Sequence, residues 1–190
     1  GSMELSTKRA RPITGELGLP GDKALSHLAL MLGALCEGRS GITGMGEGLD
    51  IEATKNCLIR LGVRLVRHRV REHEILAEQG RGPRSLVGTN DWLDCEDSEA
   101  TIGLLMGVLA GHDMTSRLTG GADLRRVRLD PIADALKRMG ATVAFERGLS
   151  APLTIRGAAL KAAEVELPAR DRQTKAAVLL LILGKFAIAG

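Results

Sequence analysis

The sequence predicts an α/β (α+β) fold built from repeated β-α-β-α-β-β units, in which sheets pack around enclosed helices. Three observations carry this. Leu-rich segments recur at near-equal intervals, each closing on a glycine: Leu28-Ala-Leu-Met-Leu-Gly33, Gly103-Leu-Leu-Met-Gly107 and Val178-Leu-Leu-Leu-Ile-Leu-Gly184. Between them, Cys57-Leu-Ile-Arg-Leu-Gly-Val63 and Ala135-Leu-Lys-Arg-Met-Gly-Ala141 match each other as amphipathic helices ended by a capping glycine and followed by a strand. The same partners then return as hairpins, Val63 to Val70 with Glu74 to Ala77, and Thr142 to Glu146 with Leu153 to Arg156.

Each unit enters through a short extended piece, Gly15 to Leu19 or Trp92 to Cys95, and then starts its apolar helix. A helix apolar on nearly all sides, such as Thr174 to Leu183, is expected to be enclosed, whereas the Leu58 and Leu136 helices carry charges on one face and are expected at the surface. The units are placed at about 14–88, 89–163 and 164–190, inside a single lobe that spans residues 4–190; Gly1, Ser2 and Met3 read as a tag remnant. The third unit stops at Gly190, after its apolar helix, with no second helix and no hairpin. Its enclosed helix is therefore expected to be covered by a second lobe or by a partner chain, a homodimer being one arrangement.

Composition narrows the function classes. With 190 residues, 44% hydrophobic and 26% charged, the chain can bury a full core. Its net charge of +3, from 26 basic and 23 acidic residues, is too even to imply a polyanion partner. Arg60, Arg64, Arg67, Arg69 and Arg71 form a basic stretch, but they alternate with Val63, Leu65 and Val70 as on a strand with one solvated face. One Trp, two Phe and no Tyr leave almost no stacking platform, so a nucleic-acid partner is not expected. Cys36, Cys57 and Cys95 are odd in number and widely separated, which suits free thiols in a reducing cytoplasm. His68 and His73 lack companions at metal-ligand spacing and read as hairpin residues, so no metal site is expected. The longest apolar run, Ala176 to Gly184, has core length, and no membrane span is expected.

Four segments carry candidate chemistry. In Leu19-Pro-Gly-Asp-Lys23 a glycine turn delivers Lys23 to the start of an apolar helix, whose free N–H groups favour an anion. Leu93-Asp-Cys-Glu-Asp-Ser-Glu-Ala-Thr101 leads into the second apolar helix, with Asp97 or Ser98 as its cap. Leu118-Thr-Gly-Gly-Ala-Asp-Leu-Arg-Arg-Val-Arg128 is a glycine-rich turn followed by arginines, and Pro168-Ala-Arg-Asp-Arg-Gln-Thr-Lys175 leads into the third apolar helix. Taken singly, these segments have plain structural explanations: a solvated lysine, an acidic helix start and solvated arginines. The repeat joins them, because the first, second and fourth hold the same place in successive units. Three helix starts are then expected to converge on one anion-receptive face.

These blocks resemble the EPSP synthases. Leu-Pro-Gly-Asp-Lys23 with Ser26-His27 and the following Ala-Leu-Met-Leu-Gly-Ala-Leu looks like that family's N-terminal signature, and Leu93-Asp-Cys with Leu-Leu-Met-Gly-Val-Leu-Ala-Gly111 resembles its Leu-Asp-Cys-Gly-Asn-Ser-Gly-Thr motif and helix. Leu118-Thr-Gly, Leu124-Arg-Arg, Pro152-Leu-Thr-Ile-Arg-Gly157 and Gln173-Thr-Lys-Ala-Ala-Val-Leu-Leu180 are similar to later blocks in the same order. The resemblance implies one lobe of the enolpyruvyl transferase fold, two lobes of which close over shikimate 3-phosphate and phosphoenolpyruvate in the shikimate pathway of aromatic amino acid biosynthesis. It implies no metal or organic cofactor, and the candidates for substrate contact become Lys23, Ser98, Arg125, Arg126, Arg128, Arg172, Gln173 and Lys175.

The sequence departs from the family pattern at the positions that hold anions. The first motif continues Lys-Ser-x-x-x-Arg in the family, and here Ala24 and Leu28 stand at the serine and arginine positions. Glu96, Asp97 and Glu99 replace glycine, asparagine and glycine, and Gly103 stands where an arginine is common. The arginine expected on phosphoenolpyruvate aligns with Val127, and two serine positions become Asp171 and Arg172. Two unit charges about 4 Å apart interact by roughly 4 kcal/mol at an effective dielectric near 20. A hydrogen bond to a charged group contributes about 1.5 to 3 kcal/mol, so one misplaced carboxylate outweighs one good phosphate contact. The expected function is thus an EPSP-synthase-like lobe that is impaired or inactive by itself. Two alternatives stand beside it: a non-catalytic descendant serving as an interaction module, and a changed enzyme acting on a less charged shikimate-like compound.

Overall fold

The computed structural model describes residues 16–18, 23–35, 38–43, 45–67, 74–79, 86–158 and 171–189. Strand β1 (Glu16–Gly18) leads through helix α1 (Lys23–Leu35) to β2 (Gly38–Thr43), and α2 (Leu49–Arg60) precedes β3 (Arg64–Arg67) and β4 (Glu74–Gln79). The order then recurs as β5 (Trp92–Asp94), α3 (Glu99–Ala110), β6 (Thr115–Thr119), a 3-10 turn (Leu124–Arg126), α4 (Asp130–Arg138), β7 (Thr142–Phe145) and β8 (Leu153–Arg156). Helix α5 (Arg172–Ala189) follows.

The strands form two four-stranded sheets with the same pattern, β1-β2-β4-β3 and β5-β6-β8-β7. In each, the first pair is parallel, with Leu17 opposite Ile42 and Leu93 opposite Leu118, and the remaining pairs are antiparallel. A parallel pair needs a long crossover, which α1 and α3 supply, whereas β7 and β8 need only a short connection. Both crossovers place the start of an apolar helix just beyond the carboxyl end of a strand.

The outer helices follow from their charge patterns. Helix α2 buries Ile51, Thr54 and Leu58 at helical spacing and exposes Glu52, Asn56 and Arg60. Helix α4 buries Ile132, Ala133 and Leu136, exposes Asp134 and Lys137, and starts with Pro131 in its first turn. Acids at the start and bases at the end of both complement the helix dipole. Gly62 and Gly140, at φ +89° and +112°, turn the chain out of these helices where the sequence placed capping glycines.

Helix α3 has no polar face: every residue from Thr101 to Ala110 is buried. It packs against α1, α2, α4 and α5 and forms the centre of the core. Its glycines have a different role from the one the sequence suggested. Gly33 and Gly107 lie inside α1 and α3 rather than at their ends, and the C-cap of α3 is Gly111. At Gly107 a Cβ would collide with the Ala177 carbonyl and approach its Cα to 2.7 Å, so the missing side chain is the space that α5 occupies. On α5, Ala177, Val178, Leu180 and Leu181 are buried, while Leu179 is 49% exposed.

Cys57 and Cys95 are free and buried. Contact with Cys57, followed by burial, pushes the Cys95 thiol well above its ordinary value, so it is a packing group rather than a nucleophile. Arg60 pairs with Asp91 at 3.2 Å, and Arg64 and Arg67 lie exposed on β3. Cys36, His68, Arg69, Val70, Arg71 and His73 lie outside the described residues. No helix of the described residues is long and apolar enough to cross a membrane, and among them no three His, Cys, Asp or Glu side chains are grouped to hold a metal ion.

The close approach at Gly107 gives a direct test of the core. Gly107→Ala forces two helix backbones apart and is expected to lower stability by about 1–3 kcal/mol in a denaturant titration. An unchanged midpoint would show that α3 and α5 do not pack at this point.

Candidate functional site

The candidate segments meet at the helix starts. Lys23 opens α1 and is exposed, Ala24 beside it is exposed, and Leu28 is partly buried. The Lys23 ammonium lies 3.4 Å from Asp50 in the first turn of α2. Burial pushes the Asp50 carboxyl up, but the Lys23 hydrogen bond and charge outweigh this and hold it below its usual range.

A chain of buried hydroxyls joins α1 to α3. His27 Nδ1 lies 2.7 Å from Thr54 Oγ1 on α2, Thr54 Oγ1 lies 2.7 Å from Thr101 Oγ1, and the Thr101 hydroxyl reaches Ser98 Oγ at 2.7 Å. Ser98 in turn accepts from the Thr101 backbone N–H at 3.1 Å and is the N-cap of α3. His27, Thr54, Ser98 and Thr101 are all buried. They fasten the second turn of α1, the inner face of α2 and the first turn of α3 into one polar seam within an apolar core.

The remaining starts are fastened by carboxylates and an amide. Asp97 does not cap α3; its Oδ1 accepts from the Asp123 and Leu124 backbone N–H groups at 3.1 and 3.3 Å, in the loop after β6. Asp171 accepts from the Thr174 N–H at 2.9 Å and the Thr174 hydroxyl at 2.6 Å, which makes it the cap of α5. Gln173 donates from Nε2 to the Glu99 carbonyl at 2.6 Å, and Gly103 leaves the space in which its side chain lies. Lys23 and Gln173 thus lie in the first turns of α1 and α5, and Asp97 directly precedes Ser98, the N-cap of α3. Glu99 is exposed and leaves the capping of α3 to Ser98.

The arginines are less concentrated than the sequence suggested. Arg125 turns back so that its Nε donates to the Gly120 carbonyl at 3.0 Å. Arg128 makes a two-pronged pair with Asp130 at 3.0 and 2.9 Å. Arg126 and Arg172 are exposed, as is Lys175, and Val127 is partly buried against the core.

The profile of the family described as EPSP synthase (3-phosphoshikimate 1-carboxyvinyltransferase) matches residues 7–186. The chain belongs to the EPSP synthase family. The 3-phosphoshikimate 1-carboxyvinyltransferase of Desulforudis audaxviator is 37% identical over 186 residues, covering 97% of this chain and 42% of that protein. That of Paramagnetospirillum magneticum is 39% identical over 177 residues, covering 93% and 39%. A solved EPSP synthase from Acinetobacter baumannii superposes with a TM-score of 0.78 at 31% identity, over 88% of this chain and 38% of that one. The chain thus spans about two fifths of the length of the curated relatives it matches.

Against the EPSP synthase pattern, Glu96 stands out because it holds φ +52° where the motif has glycine. Its carbonyl accepts from Gly121 N–H at 2.7 Å, which fixes this left-handed turn beside the loop that Asp97 clasps. Sequence reasoning singled out Glu96, Asp97 and Asp171, took in Thr101 as the end of a candidate segment without giving it a role, and missed Asp50 and Thr54. Thr54 left a trace as a lone hydroxyl on the apolar stripe of α2, between Ile51 and Leu58.

Two outcomes follow. A left-handed non-glycine residue costs roughly 1–2 kcal/mol, so Glu96→Gly is expected to raise stability by about 0.5–1 kcal/mol in a denaturant titration, and a loss would contradict the turn described here. Burial lowers the pKa of His27 below 6.5, only partly opposed by Asp50. The unfolded chain therefore binds this proton more readily than the folded one, and the stability contributed is present above pH 6.5 and lost as pH falls toward the folded-state value. In thermal melts across pH 7.5 to 5, His27→Asn is expected to flatten this decline; an unchanged slope would place it elsewhere.

Proposed function

We propose that this chain forms the first part of an enolpyruvyl transferase of the EPSP synthase type, whose reaction joins phosphoenolpyruvate to shikimate 3-phosphate, and that by itself it does not hold these ligands. One observation carries the second half of this reading. The backbone N–H groups of Asp123, Leu124 and Thr174, at the loop and helix start where an anion would dock, already donate to Asp97 and Asp171. A phosphate arriving there must displace a covalently tethered carboxylate and also face its charge.

The departures from the family motif support the same reading. Ala24 and Leu28 offer no hydroxyl and no cation beside Lys23, and Val127 packs on the core where an arginine is expected. Arg128 is engaged by Asp130, and Arg125 by its own loop. The repeated units are read as 14–88 and 89–163, with α5 opening a third. The half-exposed Leu179 on α5 supports a covering surface there, supplied by a second lobe or by a partner chain.

Isothermal titration of the chain with shikimate 3-phosphate is expected to give no micromolar binding. The variant carrying Ala24→Ser, Leu28→Arg, Asp97→Asn, Glu99→Gly, Val127→Arg and Asp171→Ser is expected to gain it. Micromolar capture by the unaltered chain, worth about −8 kcal/mol, would refute self-occupation of the site. Binding of unphosphorylated shikimate instead would favour a changed enzyme for a less charged ligand.

A further inference from the structure

His27 is 1% exposed, and its Nε2 has no hydrogen-bond partner among the described residues. That nitrogen lies 3.6 Å from Asp50 Oδ2, too far for a hydrogen bond but close enough for a strong charge interaction. The other oxygen of the same carboxylate holds Lys23. Gly48 gives the pair its room, since a Cβ there would stand 2.8 Å from Asp50 Oδ1 and 3.0 Å from Lys23 Nζ.

The protons of the hydroxyl chain decide which His27 nitrogen is basic. Each hydroxyl has one proton to donate. Thr101 directs its own to Ser98 Oγ or to the Asp50 carbonyl. With the Thr101 proton so placed, Thr54 donates to Thr101 and accepts from His27 Nδ1. Neutral His27 therefore carries its proton on Nδ1 and turns the lone pair of Nε2 toward Asp50. Adding a proton at Nε2 changes that contact from repulsion to attraction.

We propose that His27 Nε2 is the proton-accepting half of a latch on Lys23. Neutral His27 leaves Asp50 to Lys23; protonated His27 draws Asp50 to itself and frees the ammonium for an external anion of the phosphate or carboxylate class. One proton comes from solvent, one N–H bond forms, and no covalent bond breaks. Thr54 and Thr101 are positioning residues that fix the tautomer. The role of the freed Lys23 rests on reading it as an anion-holding cation in the proposed function. The charged groups acting on the ring are Asp50 on α2 and Lys23 on α1, while α3 meets it only through the neutral Thr101 hydroxyl by way of Thr54. Burial keeps the midpoint below the ordinary histidine value, with Asp50 opposing and Lys23 adding to the shift.

NMR of the full chain separates the parts of this proposal. At neutral pH the long-range 15N pattern of His27 is expected to show a protonated Nδ1; a protonated Nε2 would overturn it. On acidification the Lys23 15Nζ signal is expected to step at the His27 midpoint, and in Asp50→Asn that step disappears while the His27 midpoint falls further. A Lys23 signal without the step in the unaltered chain would also overturn the latch. Sulfate, whose charge is constant over this range, is expected to shift Lys23 at several-fold lower concentration below the midpoint than above it, and equal concentrations would count against the latch. Sulfate that moves Lys23 at neither pH, with the tautomer and shared step intact, would remove the anion-holding role of Lys23 and leave the proton-coupled pair standing.

Discussion

A helix start exposes N–H groups that no residue of the helix itself can satisfy, and this protein brings several such starts to one place. What satisfies them determines what the place can do. Here the chain answers from its own side chains: Ser98 for α3, Asp171 for α5, and Asp97 for the loop after β6. Ser98 and Asp171 are local capping choices, each contributing on the order of 1 kcal/mol to stability, whereas Asp97 reaches a loop distant in sequence. Two of the three, Asp97 and Asp171, place a carboxylate on backbone N–H groups, and this is the observation on which the proposed self-occupation rests.

The strand pairing of both sheets calls for crossover helices. Two parallel strand pairs require two crossovers, and in chain order α1 and α3 each follow the first strand of such a pair. Helix α3 is buried throughout, so its first turn has to sit among other elements rather than in water. Polar groups buried there must find partners, and the line from His27 through Thr54 and Thr101 to Ser98 is how they do so. The same line binds the first sheet-and-helix layer to the second, so the polar seam and the apolar core strengthen one assembly.

Much of this was legible in the residues. The order of elements, the surface character of α2 and α4, and the capping glycines Gly62 and Gly140 follow from periodicity and turn chemistry, because those signals are local. The glycines of the Leu-rich segments misled for an equally clear reason: Gly107 faces the backbone of Ala177, a contact that no local pattern encodes. The acidic replacements at Asp97 and Asp171 were visible against the family motif, but their partners were not. Asp97 reaches across to Asp123 and Leu124, a pairing that depends on how β6 lies beside β5. Asp50 and Thr54 escaped notice because an aspartate in a first helical turn and a single threonine on an apolar stripe each have ordinary explanations until the third dimension places His27 beside both.

Membership of the EPSP synthase family and the proposed self-occupation of the anion face are separate matters, since folds persist while sites change. The most direct test of self-occupation reads the donors themselves. In 1H–15N spectra at neutral pH, the backbone amides of Asp123, Leu124 and Thr174 are predicted to stay in place as inorganic phosphate is added to millimolar concentration. Saturable movement of these three amides together would show that phosphate displaces Asp97 and Asp171, and would contradict the account.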